Sequence, residues 1–133
     1  MPVTLAELKQ AHAELEAALL ALEALTIDPV LDEPRVAAAR VRLSRASAHR
    51  RKLSDLAAME LLDTVRSAEA DSLRALRERN AAQIQASSQH IGAWGLRQIT
   101  ADWPGYCRAS VQVRAAIRAL VKADQDTLYP LLR

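Results

Sequence analysis

Two histidines and one aspartate fall where the apolar rhythm of their segments calls for hydrophobic residues. They are His12 in "LKQAHAELEAALLALEAL", His49 in "LSRASAHRRKLSDLA" and Asp124 in "ALVKADQDTLYPLLR". Two imidazoles and a carboxylate are a ligand set for iron or zinc, so a single bound metal ion is one chemistry these residues could share. A hydrogen-bonded cluster is the plainer one, because an unpaired buried polar group costs about 1–3 kcal/mol and three together can satisfy one another. His49 raises a third chemistry. Lys52 follows it by three residues, and the basic surroundings would stabilise a phosphoryl group on the imidazole. That reading requires His49 to face solvent, whereas a ligand or core His49 must face inward. No glycine-flanked nucleophile marks a hydrolase, and no glycine-rich phosphate loop occurs. Cys107 stands just inside a helix, where a thiol can be activated, but a small inert apolar role fits it better. Trp94 and Trp103 read as core and cap.

The elements that would position these residues are helices. Of 133 residues, half are apolar, only three are glycine and none is phenylalanine, which favours helix throughout and one domain over 1–133. Thr4 with Glu7 three residues on is a capping box, Pro34 suits a first helical turn, and "DWPGY" is a break. Helices are therefore predicted over 4–25, 34–64, 67–101 and 105–129. The apolar stripes run Leu5, Leu8, His12, Leu15, Leu19, Leu22 in the first, and Leu43, Ala46, His49, Leu53, Leu56 in the second. In the third, the stripe passes through Leu73, Leu76, Asn80, Ile84, Ser87, Ile91 and Trp94. In the fourth it follows Tyr106, Ser110, Val113, Ile117, Leu120, Asp124 and Leu128. Four amphipathic helices with short connections predict an all-α, up-down-up-down antiparallel four-helix bundle. At about 1.5 Å per residue, His12, His49 and Asp124 reach the same height within roughly a turn, level with Asn80 to Ile84. His90 lies two or more turns away. Asp124 is then tolerated because both imidazoles share its charge.

The net charge of +2 does not call for nucleic acid, but its distribution is uneven. Residues 1–33 carry −6 and residues 34–52 carry +7, so an acidic helix followed by a basic one should attract each other's flanks. No apolar run approaches the roughly 20 residues of a membrane span, and no basic-then-apolar leader opens the chain. The expected setting is cytoplasmic, as a monomer or homodimer. Cys107 is alone and cannot form an internal disulfide.

The quoted first-helix segment resembles that of hemerythrin-like (HHE cation-binding) domains, with His12 at the place of their first-helix histidine. "LSRASAHRRKLSDLA" is similar to their second helix, and "ITADW" to the end of their third. Asp124 before Leu128-Tyr129-Pro130 resembles their closing acidic segment. The resemblance implies the same helical fold and covers nearly the whole chain. The family's di-iron site uses five histidines and two carboxylates, in His-x-x-x-Glu, His-x-x-x-His and a fourth-helix histidine. Here Leu53 follows His49 by four, Trp94 follows His90 by four, and Ala119 and Leu120 precede Asp124. Only His12, His49 and Asp124 carry over, too few to hold two irons. The expectation is a non-enzymatic, hemerythrin-like regulatory or partner-binding module without cofactor and with a protein partner. A bundle holding one iron or zinc, and a phosphotransfer protein using His49, are the alternatives.

Overall fold

In the computed structural model, which describes residues 2–133, every regular element is a helix. Helix α1 (Leu5–Ile27) starts where the capping box predicts. Thr4 Oγ1 accepts from the Glu7 amide at 3.1 Å, and the Glu7 carboxylate accepts from the Thr4 amide at 2.9 Å. Asp32 caps α2 (Glu33–Leu62) by accepting from the Arg35 amide at 3.2 Å, with Pro34 in the first turn. Helix α3 (Ser67–Ala93) follows, with the Glu69 carboxylate accepting from the Arg66 amide.

The single helix predicted over 67–101 is instead two. Trp94 leaves the helical conformation, and a short α4 (Leu96–Ala101) starts after Gly95. Glycine is a poor helix former, and the carbonyl freed by the break finds a partner: Arg40 donates to the Trp94 oxygen at 2.6 Å. The break turns Ile99 into a buried cluster with Val36, Trp103 and Tyr106. Helix α5 (Trp103–Thr127) follows at once, capped by Asp102, whose carboxylate accepts from the Gly105 amide at 3.0 Å. A β-carbon at position 105 would collide with that carboxylate, so the cap closes only over glycine.

The long helices pack side by side, α1 along α2, α2 along α3, and α5 against both α3 and α1. Leu5 N donates to the Arg133 carbonyl at 2.9 Å, joining the start of α1 to the segment beyond α5. A polar layer divides the apolar core. On one side lie Leu8, Ala57, Leu73, Leu76 and Leu128; on the other lie Leu15, Leu19, Leu22, Leu43 and Ile117. Each large side chain so buried contributes about 1.5–3 kcal/mol of hydrophobic stabilisation. The second group draws on α1, α2 and α5 only. Helix α3 is buried through Ala70, Leu73, Leu76, Asn80 and Gln83, and then no further residue of it is buried.

The expected attraction between acidic α1 and basic α2 is not what the structure shows. The α1 carboxylates turn to α5: Glu23 meets Arg114 at 2.7 Å and Arg118 at 3.3 Å, and Glu16 meets Arg118 at 3.0 Å. Among the described residues no ion pair joins α1 to α2, and the apolar contact between them includes Leu15, Ala18, Leu19 and Leu22 with Ala39 and Leu43. No helix is long and apolar enough to cross a membrane, among the described residues.

Candidate functional site

The polar layer is the most concentrated chemistry in the molecule. His12 on α1, Arg50 and Ser54 on α2, Asn80 and Gln83 on α3 and Asp124 on α5 all point into it. Arg50 and Asp124 are both 0 % exposed. The guanidinium donates to Asp124 Oδ2 at 3.0 Å, to Asn80 Oδ1 at 2.8 Å and to Gln83 Oε1 at 2.9 Å. Ser54 donates to Asp124 Oδ1 at 2.7 Å and accepts from the Asn80 amide at 2.9 Å. Gln83 in turn donates to Ser47 at 2.7 Å. His12 Nε2 lies 2.9 Å from Asp124 Oδ2, and Nδ1 lies 2.6 Å from the Tyr129 hydroxyl. An ionised carboxylate only accepts, so Nε2 carries a proton toward Asp124, and on a neutral ring Nδ1 then accepts from the Tyr129 hydroxyl. Nearly every polar atom here has a partner. The exception is Arg50 Nε, which has none.

The His12–Asp124 pairing expected from helix heights is thus present, and Asn80 lies at the expected level. His49 does not join them. It is exposed, and the inward position belongs to its neighbour Arg50. One residue turns a helix by about 100°, and the buried face of α2 runs Val36, Ala39, Leu43, Ser47, Arg50, Ser54, Ala57. This line shares Leu43 with the predicted stripe Leu43, Ala46, His49, Leu53 and Leu56 and has similar three-and-four spacing, but beyond Leu43 it is rotated by one residue. It was hidden because three of its members are polar, and an arginine is ordinarily assigned to the solvent face. The signal that could have found it is the matching polar set on α3 and α5, namely Asn80, Gln83 and Asp124, at the same height.

The ligand set His12, His49, Asp124 therefore does not assemble. Among the described residues no three metal-ligating side chains come together. The two that do meet are already hydrogen-bonded to protein partners, and a cation beside Asp124 would stand against the Arg50 guanidinium. The donor set does not fit iron or zinc.

Two further features stand outside the layer. His49 belongs to an exposed stripe on α2 with Arg42, Arg45 and Lys52. The other is a cavity of about 510 Å³ between α2, α3 and α5, where the second half of α3 leaves the core. Its walls include Arg40, Arg51, His90 and Tyr106. The Arg40 guanidinium stands 5.6 Å from the Tyr106 ring centre. Burial, and then the Arg40 charge, lower the His90 pKa below its ordinary value of 6.5. Burial raises that of Tyr106.

Trp103 is a core residue tied by Nε1 to the Asp28 carbonyl at 3.0 Å, and Trp94 packs beside it, as expected of core and cap. Cys107 packs against the same cluster, and burial pushes its thiol up, against the activation a helix N-terminus can give. Comparison of the chain with protein-family models, with curated proteins and with solved structures found no match.

Proposed function

We propose that the chain is a diverged hemerythrin-like, up-down-up-down four-helix bundle that works without metal, as a non-enzymatic regulatory or partner-binding module. The observation that carries the reading is Arg50. A side-chain cation, held by one carboxylate and two amides from α3 and α5, stands in the middle of the helices where a metal-binding bundle would need its ion. The cluster cross-links α1, α2, α3 and α5 and presents no nucleophile or general base to solvent. The quoted first-helix and Leu-Tyr-Pro segments support the family likeness, and the Tyr129 hydroxyl on His12 gives that closing segment a structural role. The test is metal analysis of protein purified without an affinity tag, before and after exposure to iron(II) or zinc. Less than stoichiometric metal is expected. One ion per chain, lost in His12→Ala, would overturn the reading.

The exposure of His49 favours one second reading, phosphotransfer. The imidazole is accessible, and Arg42, Arg45 and Lys52 on its face form no ion pair among the described residues. Acid-labile phosphate on the chain after incubation with a phosphorylated receiver domain, absent in His49→Gln, would support it; no such phosphate would dismiss it.

A further inference from the structure

The cavity is a gap in the core. The apolar group at this level is built from α1, α2 and α5, and no α3 residue joins it. Helix α3 nevertheless carries its apolar stripe on through the stretch. Ile84 and Ile91 are 50 % and 52 % exposed, and both line the cavity, facing a floor that includes Leu22, Leu43 and Ile117. Two opposed apolar walls are thus held apart, by a volume of about 510 Å³ that matches the size of small-molecule sites, roughly 300–1,000 Å³. Helix α3 ends at Ala93, and just beyond it Arg40 donates to the Trp94 carbonyl at the rim of the gap.

The charges of the lining have one sign. Arg40, Arg51 and Arg114 contribute to it, His90 is held toward its neutral form by burial and by Arg40, and no aspartate or glutamate lines the cavity. Arg114 is neutralised by Glu23 at 2.7 Å. Arg40 is engaged with the Trp94 carbonyl. Arg51 is half-buried and pairs with no carboxylate among the described residues, about 16 Å along α2 from Arg40. Ser44, Ser87 and Ser88 add hydroxyls to the walls. A half-buried guanidinium without a carboxylate, beside apolar walls, is complementary to an anion carried on an apolar body.

We propose that this cavity binds a small amphipathic carboxylate, its apolar tail between Ile84, Ile91 and the Leu22–Leu43–Ile117 floor and its head on Arg51. The inference rests on the reading of the chain as a non-enzymatic binding module, and names its ligand class. Such a ligand supplies the missing core contact and the missing counter-charge together. An uncharged apolar molecule supplies only the first, and a cationic amphiphile is opposed by the arginines.

The experiment is calorimetric titration of the full chain with decanoate, decanol and decyltrimethylammonium, each below its aggregation threshold. Decanoate is expected to bind at one per chain, decanol at least tenfold more weakly, and the cation not at all. Arg51→Gln should weaken decanoate about tenfold, the fold-change of one charge-assisted hydrogen bond, and leave decanol unchanged. Ser87→Trp, which fills the cavity, should abolish both without lowering the melting temperature. Equal affinity for decanoate and decanol, binding indifferent to both substitutions, or self-association in place of decanoate binding would overturn the proposal. The two readings fail separately. Stoichiometric iron or zinc in the same protein refutes the metal-free reading and leaves the decanoate comparison standing, and a silent decanoate titration does the reverse.

Discussion

Replacing Arg50 by methionine tests whether the polar layer holds the helices together as a charge pair or as a set of interchangeable hydrogen bonds. The change keeps an unbranched chain of similar reach but removes three donated bonds, to Asp124 Oδ2, Asn80 Oδ1 and Gln83 Oε1. Asp124, with no exposed surface, keeps only Ser54 and His12. Breaking a buried ion pair from one side costs about 3–5 kcal/mol, because the remaining charge is left in the interior. The unpartnered Arg50 Nε already burdens the native state, which argues for the lower figure. Against a total stability of about 5–15 kcal/mol, and with roughly 3–5 °C of melting temperature per kcal/mol for a chain of this size, the loss is about 10–15 °C. Asp124→Leu leaves the guanidinium among neutral groups and should cost a similar amount. The double change removes both charges, so its cost should fall short of the sum of the singles by about 2 kcal/mol or more. Urea denaturation followed by helical circular dichroism reads all four corners of the cycle. Additive losses, or an Arg50→Met change worth less than about 1 kcal/mol, would refute the clamp.

Tyr129→Phe should cost about 1–2 kcal/mol by leaving the buried His12 Nδ1 without its hydroxyl partner, while the stacking of the ring on His12 remains; an unchanged urea midpoint would count against the pairing. The lowered His90 pKa, caused first by burial and then by Arg40, means that the unfolded chain binds more protons at acid pH. Stability contributed by neutral His90 is therefore complete above 6.5 and is lost as pH falls below it, and His90→Gln should flatten that part of the profile; parallel profiles for the two proteins would be the contrary result. Cys107, its thiol pushed up by burial, should be alkylated by iodoacetamide more slowly at neutral pH than a small-molecule thiol; a faster reaction would reverse that reading.

Much of this molecule is legible residue by residue. The Thr4–Glu7 capping box and Pro34 in a first turn mark helix starts that form as predicted, because each depends on atoms within four residues, whereas the break expected over DWPGY shrinks to Asp102, with α5 starting at Trp103 instead of 105. The inward face of α1 is legible too, since leucine dominates it, and on α5 the expected Tyr106, Ser110, Ile117, Leu120 and Asp124 are buried, with Arg114 buried in place of Val113. From helix rise alone, His12 and Asp124 fall at one height, and the 2.9 Å contact between them agrees. Height along a helix accumulates slowly, at about 1.5 Å per residue, so small errors do not separate partners. Rotation accumulates at about 100° per residue, and an error of one residue exchanges His49 for Arg50. Only the packed neighbours decide that angle: Asn80, Gln83 and Asp124 can satisfy a guanidinium, and nothing within α2 reveals that they are there. The groove is decided in the same way. The sequence of α3 continues an apolar stripe through Ile84 and Ile91, but whether that stripe meets the core depends on how α2 and α5 pack against it, and there it lines a cavity instead. The end of α3 is likewise met by an arginine 54 residues earlier in the chain, Arg40, whose bond to the Trp94 carbonyl no local pattern encodes.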